Sequence, residues 1–273
     1  MHPVFPPLQQ ILWGLGLALA ASGGAYLAHA LSRSGALAAF CLGTTVFGLG
    51  GWGWAALLLG FFISSSGLSR LFKHRKAKFD EKFSKGSRRD AGQVLANGGI
   101  AGLFVIAHLF FPGDLWPWLG AAGALAAANA DTWATELGVL NSRPPRLLTT
   151  WQAVEQGSSG AVSLLGTLAA LGGSLLIALL AAAFWPQPMV NWFLIAGIGL
   201  AGLVGSLVDS YLGATMQAIY FCPACRKETE RHPVHTCGAQ TRLVRGVGWL
   251  GNDWVNTACT LAGGILAALL GMA

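Results

Sequence analysis

Trp116-Pro-Trp-Leu-Gly-Ala-Ala-Gly-Ala-Leu-Ala-Ala-Ala-Asn129-Ala-Asp131-Thr-Trp-Ala-Thr135-Glu136-Leu-Gly138 is long enough to cross a bilayer and turns polar only toward its end. Crossing the hydrocarbon core takes about 20 predominantly apolar residues. Acids inside or at the edge of such a run are costly, and they normally have a function. Two further segments repeat the pattern at the ends of apolar runs: Asp209-Ser210-Tyr-Leu-Gly213 and Asn252-Asp253-Trp-Val-Asn256. The chain has 11 acidic residues in 273, and Asp131, Glu136, Asp209 and Asp253 all fall in these three segments. Carboxylates accompanied by amides and hydroxyls, with no basic partner in the same runs, suit a hard cation.

The surrounding composition agrees with a membrane protein. The hydrophobic fraction is 54% and the charged fraction 10%, against about 25% charged in soluble domains. Repeated apolar runs predict an all-α polytopic bundle of seven or eight transmembrane helices, at 9–31, 35–49, 51–69, 91–111, 116–139, 159–184, 190–216 and 250–271. The Gly-rich stretch from Gly48 to Gly53 reads as a tight turn or a kink. Nine Lys/Arg between Arg70 and Arg89, against Asp80, Glu81 and Asp90, account for the whole formal charge of +6. With eight spans, this loop falls on one side together with Arg33, Arg143, Arg146 and the basic residues from Arg226 to Arg245. The connections near 50, 113 and 187 carry no Lys or Arg. Basic loops stay cytoplasmic, so both termini are expected outside and the polar segments at the inner face of a bacterial-type cytoplasmic membrane. Trp13, Trp52, Trp54, Trp116, Trp118, Trp185 and Trp192 would form an outer aromatic belt. Met1–Gln10 has no basic residue, so the first span does not read as a signal peptide. The reading is one integral membrane domain over 1–273, with a cytoplasmic Cys/His loop over 217–248 inserted in it. The basic loop suits anionic lipid rather than nucleic acid, and a homo-oligomer is left open.

This topology gathers the polar segments at one boundary. A transport path would spread polar groups through the bilayer depth, whereas a site joining a water-soluble donor to a membrane-dissolved acceptor needs them at one face. Asn129, Thr132 and Glu136 share one helical stripe, and Asp131, Thr135 and Gly138 another. Gly202, Ser206, Asp209, Gly213 and Gln217 form a small and polar seam, and Asn252, Asn256 and Thr260 step by four. Gly157-Ser158-Ser159-Gly160 is expected to precede a helix beginning near Ala161, where amides and a helix N-terminus suit an anion. No Gly-Lys-Ser/Thr phosphate loop occurs. Lys85, Arg88 and Arg89 could neutralise phosphates, and Asp90 with Gln93 reads as a capping box that sets Gln93 and Asn97 on one face. Asn252-Asp253 can also be read as an ordinary N-cap. Cys222-Pro-Ala-Cys225 followed by His235 and Cys237 has the donors of structural zinc, with His232 as the substitute for His235. An unmetallated turn or redox pair is the other reading of this loop.

Taken in order, these motifs resemble one membrane family. Gln93-Val-Leu-Ala-Asn97-Gly98-Gly99, Asn129 to Gly138, Val162-Ser163-Leu-Leu-Gly166-Thr167, Gly205-Ser-Leu-Val-Asp209-Ser, the Cys-x-x-Cys loop and Asn252-Asp253-Trp-Val-Asn256 are similar to the family of the chloroplast phytyl-phosphate kinase of vitamin E synthesis and its bacterial and archaeal relatives. The resemblance runs from about residue 40 to the C-terminus. It implies phosphorylation of an isoprenoid monophosphate to the diphosphate by a nucleoside triphosphate, with CTP a plausible donor. Joining two phosphates needs Mg²⁺ to offset their charge, with Asp131 and Asp209 as first ligands. Asp253, the third candidate Mg²⁺ ligand, Asn129 and Asn252 would orient water or phosphate, Glu136 would act behind them or as a further ligand, and Gly157 to Gly160 and Asn256 would complete the nucleotide site. Two other functions fit similar parts: a nucleotidyltransferase that makes a CDP-lipid, and a transporter with an intramembrane acidic cation site.

Overall fold

A computed structural model describes residues 3–72, 88–185 and 191–272. Most of the basic loop, including Lys85, and the connection near 187 lie outside them. Eight α-helices run through the described residues: α1 (Leu8–Leu27), α2 (Arg33–Thr45), α3 (Trp52–Leu71), α4 (Ala91–Phe110), α5 (Trp116–Gly138), α6 (Leu164–Ala183), α7 (Trp192–Thr215) and α8 (Asn252–Leu269). Among these, α1, α3, α4, α6 and α7 are long and apolar enough to cross a membrane. The Gly48–Gly53 stretch resolves into a π-helical turn, Val46–Gly50, that extends α2, followed by Gly51 at φ +81°, which reverses the chain into α3.

The helix with the smallest side chains occupies the centre. Residues 117–130 of α5 are all buried, and α5 packs against α3, α4, α6, α7 and α8. Ala and Gly permit that crowding, as they do where backbones approach closely in lipid. A Cβ on Gly123 would lie 2.4 Å from both the Ala267 Cβ and the Gly263 oxygen. Gly123→Ala is therefore expected to cost about 1–3 kcal/mol through overpacking. A lower thermal midpoint in detergent checks this, with Gly16→Ala as control, since nothing lies within 4 Å of a Cβ added there.

Several local expectations change. Trp54 and Trp118 leave the proposed aromatic belt: they are 6% and 4% exposed and stack edge-on at 5.0 Å in the core. Trp13, Trp52 and Trp192 are exposed. The fold is mostly but not purely helical, because two small antiparallel sheets fasten the loops at its polar end. β1 (Arg146–Leu147) pairs with β2 (Ala161–Val162), and β3 (Ile219–Cys222) lies between β4 (Lys227–Thr229) and β5 (Arg242–Arg245). Segments this short carry no periodic signal in the sequence. Ala161 and Val162 are thus strand rather than the start of a helix. The sixth helix begins at Leu164, capped by the Ser163 hydroxyl, which accepts from the Gly166 amide at 3.1 Å.

Candidate functional site

The polar ends of α3, α4, α5, α7 and α8 enclose a cleft of about 330 Å³, within the size range of small-molecule sites. Each wall has a sequence reason to be there. The Asp90 carboxylate accepts from the Gln93 amide at 3.0 Å, and the Gln93 side chain accepts from the Asp90 amide at 3.1 Å. This capping box starts α4 so that Gln93 and Asn97 face the cleft. The Asn97 side chain also donates to the Gln93 carbonyl at 2.8 Å. α5 contributes Asp131, Thr132, Thr135, Glu136 and Gly138, and α8 contributes Asn252 and Asn256 one turn apart. The seam on α7 divides by depth. Gly202 meets Ser174 and Ala126 inside the bundle, while Ser206, Asp209 and Gln217 line the cleft.

Asp131, Glu136, Asp209 and Glu230 converge on this cleft, and Arg89 is the cation that lines it among the described residues. Asp131 and Glu230 lie close enough to Asp209 to act on it electrostatically. The Asp209 Oδ2 is buried with no hydrogen-bond partner among the described residues. Like charges drawn together around an unsatisfied oxygen suit a bound cation, and oxygen donors suit a hard one.

Glu230, in the Cys/His loop, is a cleft residue that its spacing in the sequence does not mark. Its Oε1 accepts from the Ser159 hydroxyl and from the Gln217 side-chain amide, both at 2.8 Å. It thereby joins the glycine-serine loop to the end of α7. The only sequence signal was an acid just past a strand of the Cys/His loop. Gly157 and Gly160 both take positive φ, +78° and +79°, and all four residues of this loop line the cleft. A Cβ on Gly160 would sit 2.2 Å from the Ala214 amide nitrogen, so only glycine lets the loop press onto the end of α7. The Ser158 amide is used within the turn, donating to Glu155.

Arg89 lines the cleft beside Glu136. Its guanidinium donates to the Ser65 hydroxyl at 3.0 Å and lies over the Phe61 ring, 5.5 Å from its centroid. Burial draws the Arg89 pKa below the usual guanidinium value, and the charge of Glu136 opposes that shift. The Ser69 hydroxyl donates to Glu136 at 2.8 Å. Three other candidates stand elsewhere. Arg88 is exposed against His29. Asp253 is not among the residues lining the cleft, although its Oδ1 is buried. The N-cap reading of Asn252-Asp253 also changes, because Gly251 holds that position and no side chain caps it. Asn129 is fully buried between helices. It accepts from the Ser64 hydroxyl at 2.9 Å and donates to the Gly173 carbonyl at 2.8 Å, tying α3 and α6 to α5. Asn129→Ala is expected to cost about 1–2 kcal/mol, the upper range for such bonds in membrane bundles. The check is a lower thermal midpoint in detergent.

The Cys/His loop builds a second, separate centre. Ligand atoms of Cys222, Cys225, His235 and Cys237 lie within 4.8 Å of one another. The Cys222 and Cys237 sulfurs are 3.5 Å apart, and the His235 Nδ1 is 3.5 Å from Cys225 and 3.3 Å from Cys237. Sulfur atoms about 2.3 Å from a tetrahedral ion lie roughly 3.8 Å from one another, so the set could hold a metal and is compatible with zinc. His232 is not the substitute ligand, because it stacks on Tyr220 at 4.5 Å. Without a metal the thiols share protons unevenly. Cys237 falls to about 6, chiefly through its bond to His235, and Cys225 rises to about 11, chiefly through its bond to Cys237.

Comparison with known proteins agrees with this architecture. Residues 16–264 match the family model described as integral membrane protein DUF92. Protein PGR of Arabidopsis thaliana is 34% identical over 265 residues, covering 89% of this chain and 90% of that protein. The uncharacterized membrane protein MJ0933 of Methanocaldococcus jannaschii is 33% identical, covering 88% and 85%. Protein VTE6, chloroplastic, of Arabidopsis thaliana is 26% identical, covering 91% and 67%. No solved structure matches the chain. The chain belongs to the DUF92 family of integral membrane proteins, the family that the order of its motifs resembles.

Proposed function

We propose that the protein is an integral membrane kinase. It transfers a phosphoryl group from a nucleoside triphosphate, CTP favoured, to an isoprenoid monophosphate such as phytyl or geranylgeranyl phosphate. The observation that carries this reading is a polar cleft at one end of an apolar bundle, lined by carboxylates from three segments, amide side chains from α4 and α8, and a glycine-serine loop. A water-soluble donor and a lipid acceptor can meet at such a boundary. The motif resemblance supplies the reaction class.

In this reading the acceptor phosphate oxygen forms a bond to the donor's γ-phosphorus, the β–γ bridging bond breaks, and CDP leaves. The acceptor is already ionised, so no strong general base is needed and the protein's contribution is positioning and charge balance. Mg²⁺ would supply that balance, held by Asp131 and Asp209, with Glu230 as the third carboxylate at the cleft. Arg89, oriented by Ser65 and Glu136, pairs with the acceptor phosphate. Gln93, Asn97, Asn252 and Asn256 offer amide donors to phosphate oxygens, and the Gly157–Gly160 turn offers backbone amides to the nucleotide. The Cys222, Cys225, His235 and Cys237 set would hold structural zinc, and with eight spans and cytoplasmic basic loops the cleft would face the cytoplasm.

The test is purified protein with phytyl or geranylgeranyl phosphate, Mg²⁺ and CTP or ATP. Isoprenoid diphosphate with CDP or ADP is expected. No diphosphate from any donor would overturn the proposal. A CDP-lipid with pyrophosphate would assign nucleotidyl transfer instead, and substrate flux into liposomes without nucleotide would assign transport.

A further inference from the structure

A second cavity, about 70 Å³, meets the cleft at its side and shares Arg89, Gln93 and Asn97 with it. Away from those three residues its walls are apolar. Ala18 and Ala25 of α1 and Ala39 and Gly43 of α2 form one side, and Leu58 and Phe62 of α3 the other. Phe47, in the π-helical turn, also lines it. The one hydroxyl in its α1 wall, on Ser22, donates to the Leu19 carbonyl. The packing explains why space remains. α1 packs on α2 and the π-helical turn, while α3 packs on α5, α6 and that same turn. Small side chains bring α1 and α2 into close contact, and the groove lies between that pair and α3. Ala18 to Ala25 spans about 10 Å of helix, so the groove has length as well as width.

The polar end of this groove is a built junction. Arg89 is held by its backbone, donating to the Ala30 carbonyl and accepting from the Ser32 amide, both at 3.0 Å. Its guanidinium lies 5.9 Å from the centroid of Phe62, a wall of the groove. One cation thus faces the polar cleft with its charge and the apolar groove with its aromatic support. The fitting ligand is an amphiphile with an anionic head and a hydrocarbon tail joined directly to it.

The geometry points to this groove as the binding site for the phosphate-proximal isoprene units of the lipid acceptor, with Arg89 at the head–tail boundary. The identity of the head group rests on the kinase reading above. Moving a tail from bilayer to groove gains little, since lipid is already as apolar as the wall. The groove therefore acts by orientation: it holds the tail so that the phosphate points into the cleft. Ala39 and Leu58, on opposite walls of the groove, are the specificity-determining positions, whereas Gly43 is held to glycine by packing, since a Cβ there would meet the Ala18 Cβ at 3.0 Å.

The experiment uses the full chain in lipid nanodiscs and a farnesyl monophosphate with a diazirine on its phosphate-proximal unit. Adducts are mapped by mass spectrometry. They are expected on the α1, α2 and α3 walls of the groove and should be competed by geranylgeranyl monophosphate but not by geranylgeraniol. Ala39→Leu, and independently Leu58→Trp, are expected to raise KM for the prenyl phosphate at least about ten-fold with KM for the nucleotide unchanged. The wild-type map needs no variant and stands even if one misfolds. Adducts scattered over exposed positions such as Leu12 and Leu261, or not competed by the phosphate, overturn the groove whatever the activity assay shows. Competed groove adducts without diphosphate from any donor uphold the groove and sink the kinase reading.

Discussion

Asp209→Asn is expected to lower turnover by on the order of 10²–10³-fold or more, the loss typical when one preorganised charge-stabilising group is removed, while the protein folds at least as well. The reason lies in its surroundings. Asp209 sits among Asp131 and Glu230 with a buried Oδ2 that has no partner among the described residues. Asp209 meets like charge from both neighbours. Neutralising one member removes repulsion in the fold and a ligand in the site, so activity and stability move in opposite directions. Asp131→Asn is expected to lose activity in the same way. The measurements are turnover with a prenyl phosphate and the detergent thermal midpoint in EDTA. Near-normal activity in both variants would refute the proposed metal role, and a large drop in midpoint would mean that the carboxylates are structural.

Cys222→Ser is expected to remove bound zinc and to abolish most activity without melting the helices. Cys222 is fully buried and adjoins Cys237. It ends β3, which pairs with β4, and Glu230 follows directly after β4. Structural zinc supplies folding free energy to small loops of this kind. Losing it loosens the hairpin and withdraws Glu230 from Ser159 and Gln217. Glu230→Gln should then reproduce much of the activity loss with zinc retained at about one per chain. Metal analysis, circular dichroism and turnover together check the pair. Full activity in zinc-free Cys222→Ser protein would show that the insertion does not serve the cleft. Zinc loss with wild-type Glu230→Gln turnover would show that it serves by another route.

Some of the site is legible along the chain. Asp131, Thr135 and Gly138 recur at helical spacing and do line the cleft; so do Gln93, Asn252 and Asn256. The capping box at Asp90 is a local hydrogen-bond pattern, and local patterns can be read from spacing alone. Asn129 shows the limit of that approach. It shares a stripe with Glu136, yet the residues opposite it are Ser64 and the Gly173 carbonyl, so its amide is consumed by packing. Asp253 likewise lies off the cleft lining: the facing of a first-turn acid depends on how its helix docks, which spacing does not contain.

Hydrophobic run length, charge asymmetry between loops, and the clustering of acids at the ends of runs are additive properties of neighbouring residues. They suffice to specify a membrane helix bundle with a polar end, and the family motifs follow from the same stretches. Which side chains face one another is not additive in that sense. Glu230 enters the cleft only because the β3–β4 hairpin turns it back toward the Gly157–Gly160 loop. Arg89 joins the cleft to an apolar groove only because α1 and α2 stand off from α3. Both outcomes depend on close packing between segments far apart in the chain, and tertiary structure alone decides them.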